Sequence, residues 1–334
     1  MSHYPPSLAN SIICDMTYPQ APCGPLYTPD FEGAMQQRAE YGCTFTSLTI
    51  ASDEPSIELT VSAVAEARHY FLSRPEQYVL VETVEDIYRA QRDGKLAVGF
   101  HFQGSNGLLG NTDFVEMYKK LGVGHMLLAY NTRGFAGDGC HEESDTGLSR
   151  FGRMLVEEMN RVGMIVDVTH TGYRTSMDAM SASSQPVIFS HSNAKALFGH
   201  ERNITDDQAR ACAETGGVIG VNGVGLFLSE ARFDASAQMI ARHADYFANL
   251  VGPQHVGIGL DSVHDLDYFL DHFAKANTRR YPSGGYLQSR TPSFAGPAVI
   301  PPLADELLRL GWSVDDVKGF LGENWIRVMQ HVWG

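Results

Sequence analysis

The sequence lacks the features that would place a chain in a membrane or outside the cell. It has no apolar run of about 18 residues, roughly the minimum for a transmembrane helix. The first ten residues include two prolines and no apolar signal segment. Cysteine is also scarce, with five in 334 residues and no C-x-x-C pair. These absences predict a soluble, cytoplasmic protein whose thiols are reduced.

Positive charge is the next deficit. The chain has 25 Lys and Arg against 39 Asp and Glu, which gives a formal net charge of −14 at pH 7. Because nucleic acids and anionic membranes repel negative charge, neither is expected as the main partner. Hydrophobic residues make up 43% of the chain and charged residues 19%, proportions that are typical of a globular protein with a sizeable core.

Internal repeats, low-complexity tracts and linker-like breaks are missing too, so we expect one domain over residues 1–334. What the sequence does contain is a series of continuous apolar runs separated by helical patterns. Such runs are typical of parallel strands that are buried on both faces. The runs are Ile12–Cys14, Thr44–Ile50, Tyr78–Val81, Leu96–Phe102, His125–Ala129, Met164–Val168, Val187–Ser190, Gly217–Val221 and Val256–Leu260.

This alternation predicts an α/β fold of the (β/α)8 TIM-barrel type. Nine runs are one more than the barrel needs, and we interpret the short run Tyr78–Val81 as an extra element. The helices expected from Pro301 onward are predicted to pack outside the barrel. The long stretch Tyr281–Pro302 is predicted to be a loop, of the kind that often serves as a lid or an interface segment.

Two strand-like runs end in a histidine. Val166–His170 and the run from Val187 to His191 flank a predicted helix over Tyr173–Ser184. Because active sites of parallel barrels lie at the carboxyl ends of the strands, we expect both imidazoles at one mouth. Two neutral imidazoles there form a common start to a transition-metal site, although histidines of a barrel rim with satisfied hydrogen bonds are the alternative.

Two aspartates follow predicted strands in the same way. Asp261 follows the run Val256–Leu260 and could ligate a metal or take a proton from a bound water. Asp15 follows Ile12–Cys14 and is a second candidate ligand. The alternatives are a surface turn for Asp261 and, for Asp15, a loop entry that bonds to local backbone amides.

Three further polar residues are candidates for substrate contacts. Gln103 and Tyr130 end predicted strands and could hydrogen-bond a substrate or its oxyanion. Arg202, in the loop after His191, could bind a substrate carboxylate through two parallel hydrogen bonds. Polar rim residues and a solvated loop charge are the alternatives.

The sequence resembles the membrane dipeptidase (renal dipeptidase) family of zinc peptidases, whose barrels are of the amidohydrolase-like type. The resemblance is strongest between Leu127 and Leu228 and extends to the last barrel strand and the C-terminal helix. It is carried by Tyr130–Arg133, Gly137–Cys140, Gly147–Gly152, Glu158–Met164, His170, Ser190–Ala194, Arg202–Asp207, Val256–Gly259 with Asp261, and Gly322–Trp325.

The resemblance implies a homodimeric barrel that holds two zinc ions and hydrolyses dipeptides. His170 and His191 resemble the two histidines of one metal site. Asp261 resembles the aspartate that touches the metal site and handles the proton, and Arg202 resembles the arginine that holds the C-terminal carboxylate of the substrate.

The chain departs from the family pattern at several ligands. The His-x-Asp metal pair of the first strand matches Asp15 and Thr17, the bridging glutamate matches Gln103, and a carbonyl-polarising histidine matches Tyr130. Two divalent ions close together need bridging anions to offset their repulsion, and glutamine is neutral. We therefore expect one zinc ion at most, held by His170 and His191 with Asp15 or Asp261.

The leading hypothesis is a dipeptidase-like metallohydrolase that cleaves an amide bond in a small, carboxylate-bearing substrate. In this hypothesis zinc activates water, Asp261 takes its proton, Tyr130 or Gln103 orients the carbonyl, and Arg202 binds the carboxylate. Two alternatives remain. One is a metal-free barrel that binds a small ligand or a partner protein. The other is a non-hydrolytic enzyme that uses the histidine pair and Asp261 as acid and base.

Overall fold

The computed structural model describes residues 3–53, 56–230, 234–269, 271 and 293–334, in which strands and helices alternate. The strands are β1 (Cys14–Tyr18), β2 (Phe45–Ser52), β3 (Tyr78–Leu80), β4 (Leu96–Gln103), β5 (Val123–Leu127), β6 (Ile165–Asp167), β7 (Val187–Ile188), β8 (Ile219–Val221) and β9 (Val256–Ile258). The helices are α1 (Phe31–Glu40), α2 (Ile57–Leu72), α3 (Val84–Asp93), α4 (Asp113–Lys120), α5 (Arg150–Val162), α6 (Tyr173–Ala182), α7 (Asp206–Glu214), α8 (Gly225–Leu228), α9 (Ala237–Val251), α10 (Leu266–Phe269), α11 (Ile300–Arg309), α12 (Val314–Lys318) and α13 (Asn324–Trp333).

Eight of the strands form a parallel barrel. Their order is β7-β6-β5-β4-β2-β1-β9-β8, and a parallel bridge between Phe189 and Ile219 joins the two end strands. The remaining strand, β3, pairs only with the first residues of β4. The predicted (β/α)8 barrel is therefore confirmed, with the short run at Tyr78 outside its eight strands.

Local sequence signals explain several helix boundaries. At the start of α2 the Ser56 side chain accepts a hydrogen bond from the Leu59 amide. Thr205 and Gln208 form a capping box at the start of α7. The α3 helix was not predicted, because it offers only three buried apolar or small side chains in a strongly polar stretch.

The amino-terminal end of the barrel is closed by α13. The Trp325 indole N–H donates to the Ile258 carbonyl at 3.1 Å, and Trp325 packs with apolar side chains from the strand bottoms. The Trp333 indole N–H donates to the Gly124 carbonyl at 3.1 Å. Because this end is covered, the opposite, carboxyl-terminal end of the strands forms the mouth of the barrel.

Two sequence expectations concern the surface of the molecule. No helix among the described residues is both long and apolar enough to cross a bilayer. Residues 281–292 of the predicted loop Tyr281–Pro302 lie outside the described residues, and its last three residues begin α11.

Candidate active site at the barrel mouth

Backbone strain marks the mouth of the barrel. Asn131, His170 and Asp261 have φ angles of 60°, 66° and 55°, although none of them is glycine. They lie in the segments that follow β5, β6 and β9. A side chain in this left-handed region costs about 1–3 kcal/mol, and such residues cluster at functional sites. Three strands thus present strained residues at one end of the barrel.

The structure brings the two predicted histidines together. The Nε2 atoms of His170 and His191 lie 2.9 Å apart, and both side chains are buried. The Nδ1 atom of His170 contacts Asn131 Oδ1 at 2.5 Å. Because that oxygen is an acceptor, His170 carries its proton on Nδ1 and its Nε2 accepts hydrogen bonds.

Both imidazoles are held neutral. Burial lowers the pKa of His170 and of His191 well below the ordinary histidine value, and the nearby Arg202 cation lowers each pKa further. The Nδ1 atom of His191 faces two hydroxyls, Ser190 Oγ at 2.8 Å and Thr17 Oγ1 at 3.1 Å. These hydroxyls donate to Nδ1, so His191 uses its Nε2 proton toward His170.

Arg202 is a buried cation with an unused donor. Its Nη2 atom lies 3.1 Å from His170 Nε2 and 3.4 Å from the His191 carbonyl oxygen. Its guanidinium also packs against the ring of Phe227, with 5.4 Å between Arg202 Cζ and the ring centroid. The Nε atom has no hydrogen-bond partner within the described part of the chain. An anion is the ligand that such a guanidinium attracts.

A cavity of about 250 Å³ opens beside this group, and its lining includes His170, Arg202, Tyr173 and Lys195. Its size suits a small molecule rather than a protein segment. Its wall carries charges of both signs, and the charged residues are the cations Arg174, Lys195 and Arg202 and the anions Glu142, Glu143, Asp145 and Glu201.

Asp261 carries a carboxyl group whose pKa is raised. Burial raises the pKa of its carboxyl to about 7, against the lowering effects of Arg202 and of a hydrogen bond from Asn222. The Asn222 amide nitrogen donates to Asp261 Oδ2 at 3.2 Å. A carboxyl group with this pKa can act as a general acid or base.

Asp15 lies elsewhere than expected. Because β1 continues to Tyr18, Asp15 is a residue within the strand, and the partners of its carboxyl group are not the two imidazoles but a backbone amide and an arginine. Its Oδ1 accepts from the Leu260 amide at 3.0 Å, and its Oδ2 lies 3.5 Å from Arg38 Nη2. This corrects the expectation that Asp15 shares an ion with the histidines: its charge joins β1 to β9 and α1.

The other two predicted residues lie at the ends of their strands. The ring of Tyr130 stacks on the ring of His170, with 4.0 Å between the centroids. Gln103 is the last residue of β4, and its Nε2 donates to Thr49 Oγ1 at 2.9 Å.

The donor set does not fit a resident metal ion. No group of three metal-ligating side chains exists among the described residues, and the cationic Arg202 lies against the lone pair of His170 that an ion would use. Two nitrogens on a tetrahedral zinc would lie roughly 3.4 Å apart, whereas His170 and His191 approach to 2.9 Å. The two histidines form a hydrogen bond with each other instead.

Sequence reasoning missed a second set of polar residues inside the barrel. Ser47, His101, His125 and Asp167 are buried in runs that the sequence presents as apolar strands. The available signal was alternation: His101 and Gln103 stand two apart on β4, as do Ser47 and Thr49 on β2, so their side chains share one face.

Comparisons with known proteins relate the chain to a family of peptidases. The family described as membrane dipeptidase (peptidase family M19) matches residues 35–268. Dipeptidase aclJ of Aspergillus oryzae is 29% identical over 283 residues, which are 83% of this chain but only 57% of that protein. The chain thus spans little more than half the length of that relative.

Solved structures share the fold. An amidohydrolase from Pseudomonas aeruginosa matches with a TM-score of 0.85 and 29% identity, over 98% of both chains. A metallopeptidase from Rhodobacter sphaeroides, liganded with a phosphinate mimic of the dipeptide L-Ala-D-Ala, matches with a TM-score of 0.75 over 97% of this chain and 100% of its own. Because its identity to this chain is only 20%, the second match shows the shared fold alone.

Proposed function

The chain belongs to the membrane dipeptidase family, and on this premise we propose that it is a dipeptidase-like hydrolase of an amide bond in a small, carboxylate-bearing substrate. The observation that carries the proposal is Arg202, a buried guanidinium whose Nε has no partner among the described residues and which adjoins a cavity of about 250 Å³. A carboxylate fits this donor because two charge-assisted hydrogen bonds can form in one plane.

The proposal gives one role to each of four side chains. Arg202 binds the substrate carboxylate, and Tyr130, whose ring stacks on His170, orients the scissile carbonyl. Asp261 takes the proton of the attacking water, for which a pKa of about 7 is well matched. Gln103 contacts the substrate from the end of β4.

Binding and turnover test the proposal with three alanine derivatives. We expect N-acetyl-L-alanine and the dipeptide L-Ala-D-Ala to bind, and N-acetyl-L-alanine amide, which lacks the carboxylate, to bind poorly. Arg202→Met should abolish the preference for the carboxylate. The matched control is Arg210→Met, because Arg210 is an exposed arginine on α7 that pairs with Asp207. Equal binding of the acid and the amide by the wild type would refute the assignment of Arg202.

A second candidate is binding without hydrolysis, and one observation favours it. Arg202 and His191 together occupy the Nε2 lone pair of His170, so the imidazole pair is satisfied without any ion. Metal analysis of protein purified without chelator, followed by turnover assays with and without added zinc, separates the two candidates. Retained binding of N-acetyl-L-alanine with no product under either condition would favour a binding protein.

A further inference from the structure

A continuous set of hydrogen bonds crosses the barrel interior from Asp167 to Gln103. We name it the Asp167 network, and its members are Asp167, His125, Ser47, His101, Thr49 and Gln103. From the buried end, Asp167 Oδ2 lies 3.2 Å from His125 Nδ1, and His125 Nε2 lies 3.1 Å from Ser47 Oγ. Ser47 Oγ lies 2.9 Å from His101 Nδ1, and His101 Nε2 lies 2.8 Å from Thr49 Oγ1. The last bond joins Thr49 Oγ1 to Gln103 Nε2 at 2.9 Å. The rings of His101 and His125 stack at 4.4 Å.

The direction of these bonds is set at the Asp167 end. Asp167 Oδ1 accepts from the backbone amides of Thr169 at 3.0 Å and Ser190 at 3.3 Å, so its neighbours at this atom are all donors. The carboxylate is ionised, since its hydrogen bonds hold its pKa below the ordinary value despite burial. Because an ionised carboxylate can only accept, His125 must donate from Nδ1.

Each following link is then determined by the one before it. A His125 ring whose single proton is on Nδ1 accepts at Nε2, so the Ser47 hydroxyl donates to it and must itself accept from His101 Nδ1. His101 is neutral because burial lowers its pKa well below the ordinary value. Its Nε2 therefore accepts the Thr49 hydroxyl proton.

The Gln103 end agrees with this direction. Since Thr49 uses its proton toward His101, its oxygen can only accept at the last link, and an amide N–H is the group of Gln103 that can donate. The Gln103 Oε1 atom accepts no hydrogen bond from any described residue. On β4, Gln103 stands two residues beyond His101, one layer nearer the mouth.

We propose that Asp167, acting through the network, is a positioning residue that directs the Gln103 amide oxygen into the site, where it accepts a hydrogen bond from the substrate amide N–H. The inference deepens the proposed function and rests on it for the identity of the ligand. It predicts a preference for amides over the matching esters, which lack this N–H. The orientation itself can be measured without any substrate.

The first experiment reads the proton positions by NMR. Long-range ¹H–¹⁵N spectra of histidine-labelled protein above neutral pH distinguish Nδ1–H, Nε2–H and doubly protonated rings. His101→Gln and His125→Gln variants assign the two signals. We expect both rings to carry their single proton on Nδ1. A proton on Nε2 of either ring, or a doubly protonated His125, would overturn the proposal.

Asp167→Asn should reverse the whole network. The two backbone amides hold the oxygen of the new side chain, so its amide group must donate to His125 Nδ1. Both rings then shift their proton to Nε2, Thr49 donates to Gln103, and Gln103 presents an N–H to the site. Unchanged proton positions would show that Asp167 does not set the direction. The matched control is Asp206→Asn, since Asp206 lies outside the barrel, where it accepts from the Tyr246 hydroxyl and pairs with Arg210.

Binding connects the orientation to the ligand. For N-acetyl-L-alanine we expect Asp167→Asn to raise Kd about tenfold, because one acceptor is replaced by a donor. For the ester analogue O-acetyl-L-lactate, which has no N–H, Kd should not rise. The double variant Asp167→Asn/Gln103→Glu restores an acceptor and should restore affinity for the amide. Reversed rings with unchanged amide affinity would show that Gln103 does not face the N–H.

Two further results keep the test decisive. If Asp167→Asn fails to fold, Thr49→Val removes the last two links, those to His101 and to Gln103, and amide affinity should fall about tenfold while His125 keeps its proton on Nδ1. Wild-type amide affinity in that variant would overturn the proposal. If the wild type binds none of the alanine derivatives, the proposed function fails, and the proton positions alone then decide whether Asp167 orients Gln103.

Discussion

Histidine pairs occupy two regions of this barrel, and the two regions use them in opposite ways. In the Asp167 network, the hydrogen bonds of His101 and His125 end on a buried carboxylate whose two oxygens both accept. At the mouth, the hydrogen bonds of His170 and His191 end on the Arg202 cation, whose Nε has no partner within the described residues. We call His170, His191, Arg202 and Asp261 the mouth cluster.

This difference in hydrogen bonding suggests a structural role for the interior histidines and a ligand-binding role for the mouth cluster. From Asp167 to Thr49 the interior side chains pair with one another, and such a buried polar network rigidifies the core, whereas an unsatisfied buried donor costs stability until a ligand binds. Strain follows the same division, because His170 and Asp261 in the mouth cluster have positive φ angles and no member of the Asp167 network does. The comparison therefore supports the proposals that the ligand binds at the mouth and that the interior orients Gln103.

The largest predicted loss of stability should follow a substitution in the Asp167 network. His125→Leu removes the side-chain partner of Asp167 and leaves a buried charge, which should lower the free energy of unfolding by about 3–5 kcal/mol. Denaturant unfolding measures it, with His170→Leu as the comparison at the mouth, where no buried carboxylate loses a partner. Neutralising the charge in His125→Leu/Asp167→Asn should recover part of the loss. Equal losses at both sites would remove the distinction between the two regions.

Arg202→Met should separate binding from stability at the mouth. Loss of a charge-assisted pair of hydrogen bonds should weaken N-acetyl-L-alanine binding about 100-fold. The melting temperature should stay level or rise, because the substitution removes a buried cation with an unused donor. A large drop in melting temperature would instead make Arg202 a structural residue. Calorimetric titration and thermal unfolding of the same samples give both readouts.

Lowering the pH should reveal how much the neutral His101 contributes to stability. Burial lowers the pKa of His101, so its contribution to stability is complete above the unfolded value of about 6.5 and is lost as pH falls below it. The loss approaches about 1.4 kcal/mol per pH unit for one group. Asp167, whose pKa is also lowered, acts in the same direction but only below about pH 4. The free energy of unfolding between pH 7 and pH 5 should therefore fall less steeply in His101→Gln than in the wild type; parallel curves would contradict this.

The sequence predicted the barrel because its signals are local. Continuous apolar runs and helix caps are readable one segment at a time, and they identified the eight strands and the extra β3. The α3 helix was not predicted from the sequence, because its apolar face is narrow. At the mouth, His170, His191 and Arg202 were found because they follow strands or lie in the loop after one.

Asp15 and the Asp167 network could not be predicted in the same way. Asp15 turns toward Arg38, 23 residues further along the chain, because β1 continues past the expected end. The contact depends on how α1 packs, which a single sequence does not show. Likewise, the residues joined by each link of the network are 42 to 78 residues apart in sequence, and each alone looks like an isolated polar residue in an apolar strand.

The smallest predicted effect on stability comes from removing a single hydroxyl group, and the two regions can be compared by removing one from each. Thr17→Val removes one of two hydroxyls that face His191 Nδ1, and Ser190 Oγ remains at 2.8 Å, so the cost should stay below about 1 kcal/mol. Ser47→Ala removes the only hydroxyl that links His101 and His125, which leaves two buried ring nitrogens unpaired and should cost about 1–3 kcal/mol. Urea unfolding of the two variants measures the difference. If Thr17→Val costs as much as Ser47→Ala, the mouth is as tightly determined as the interior, and the freedom that a ligand site needs must lie with Arg202 alone.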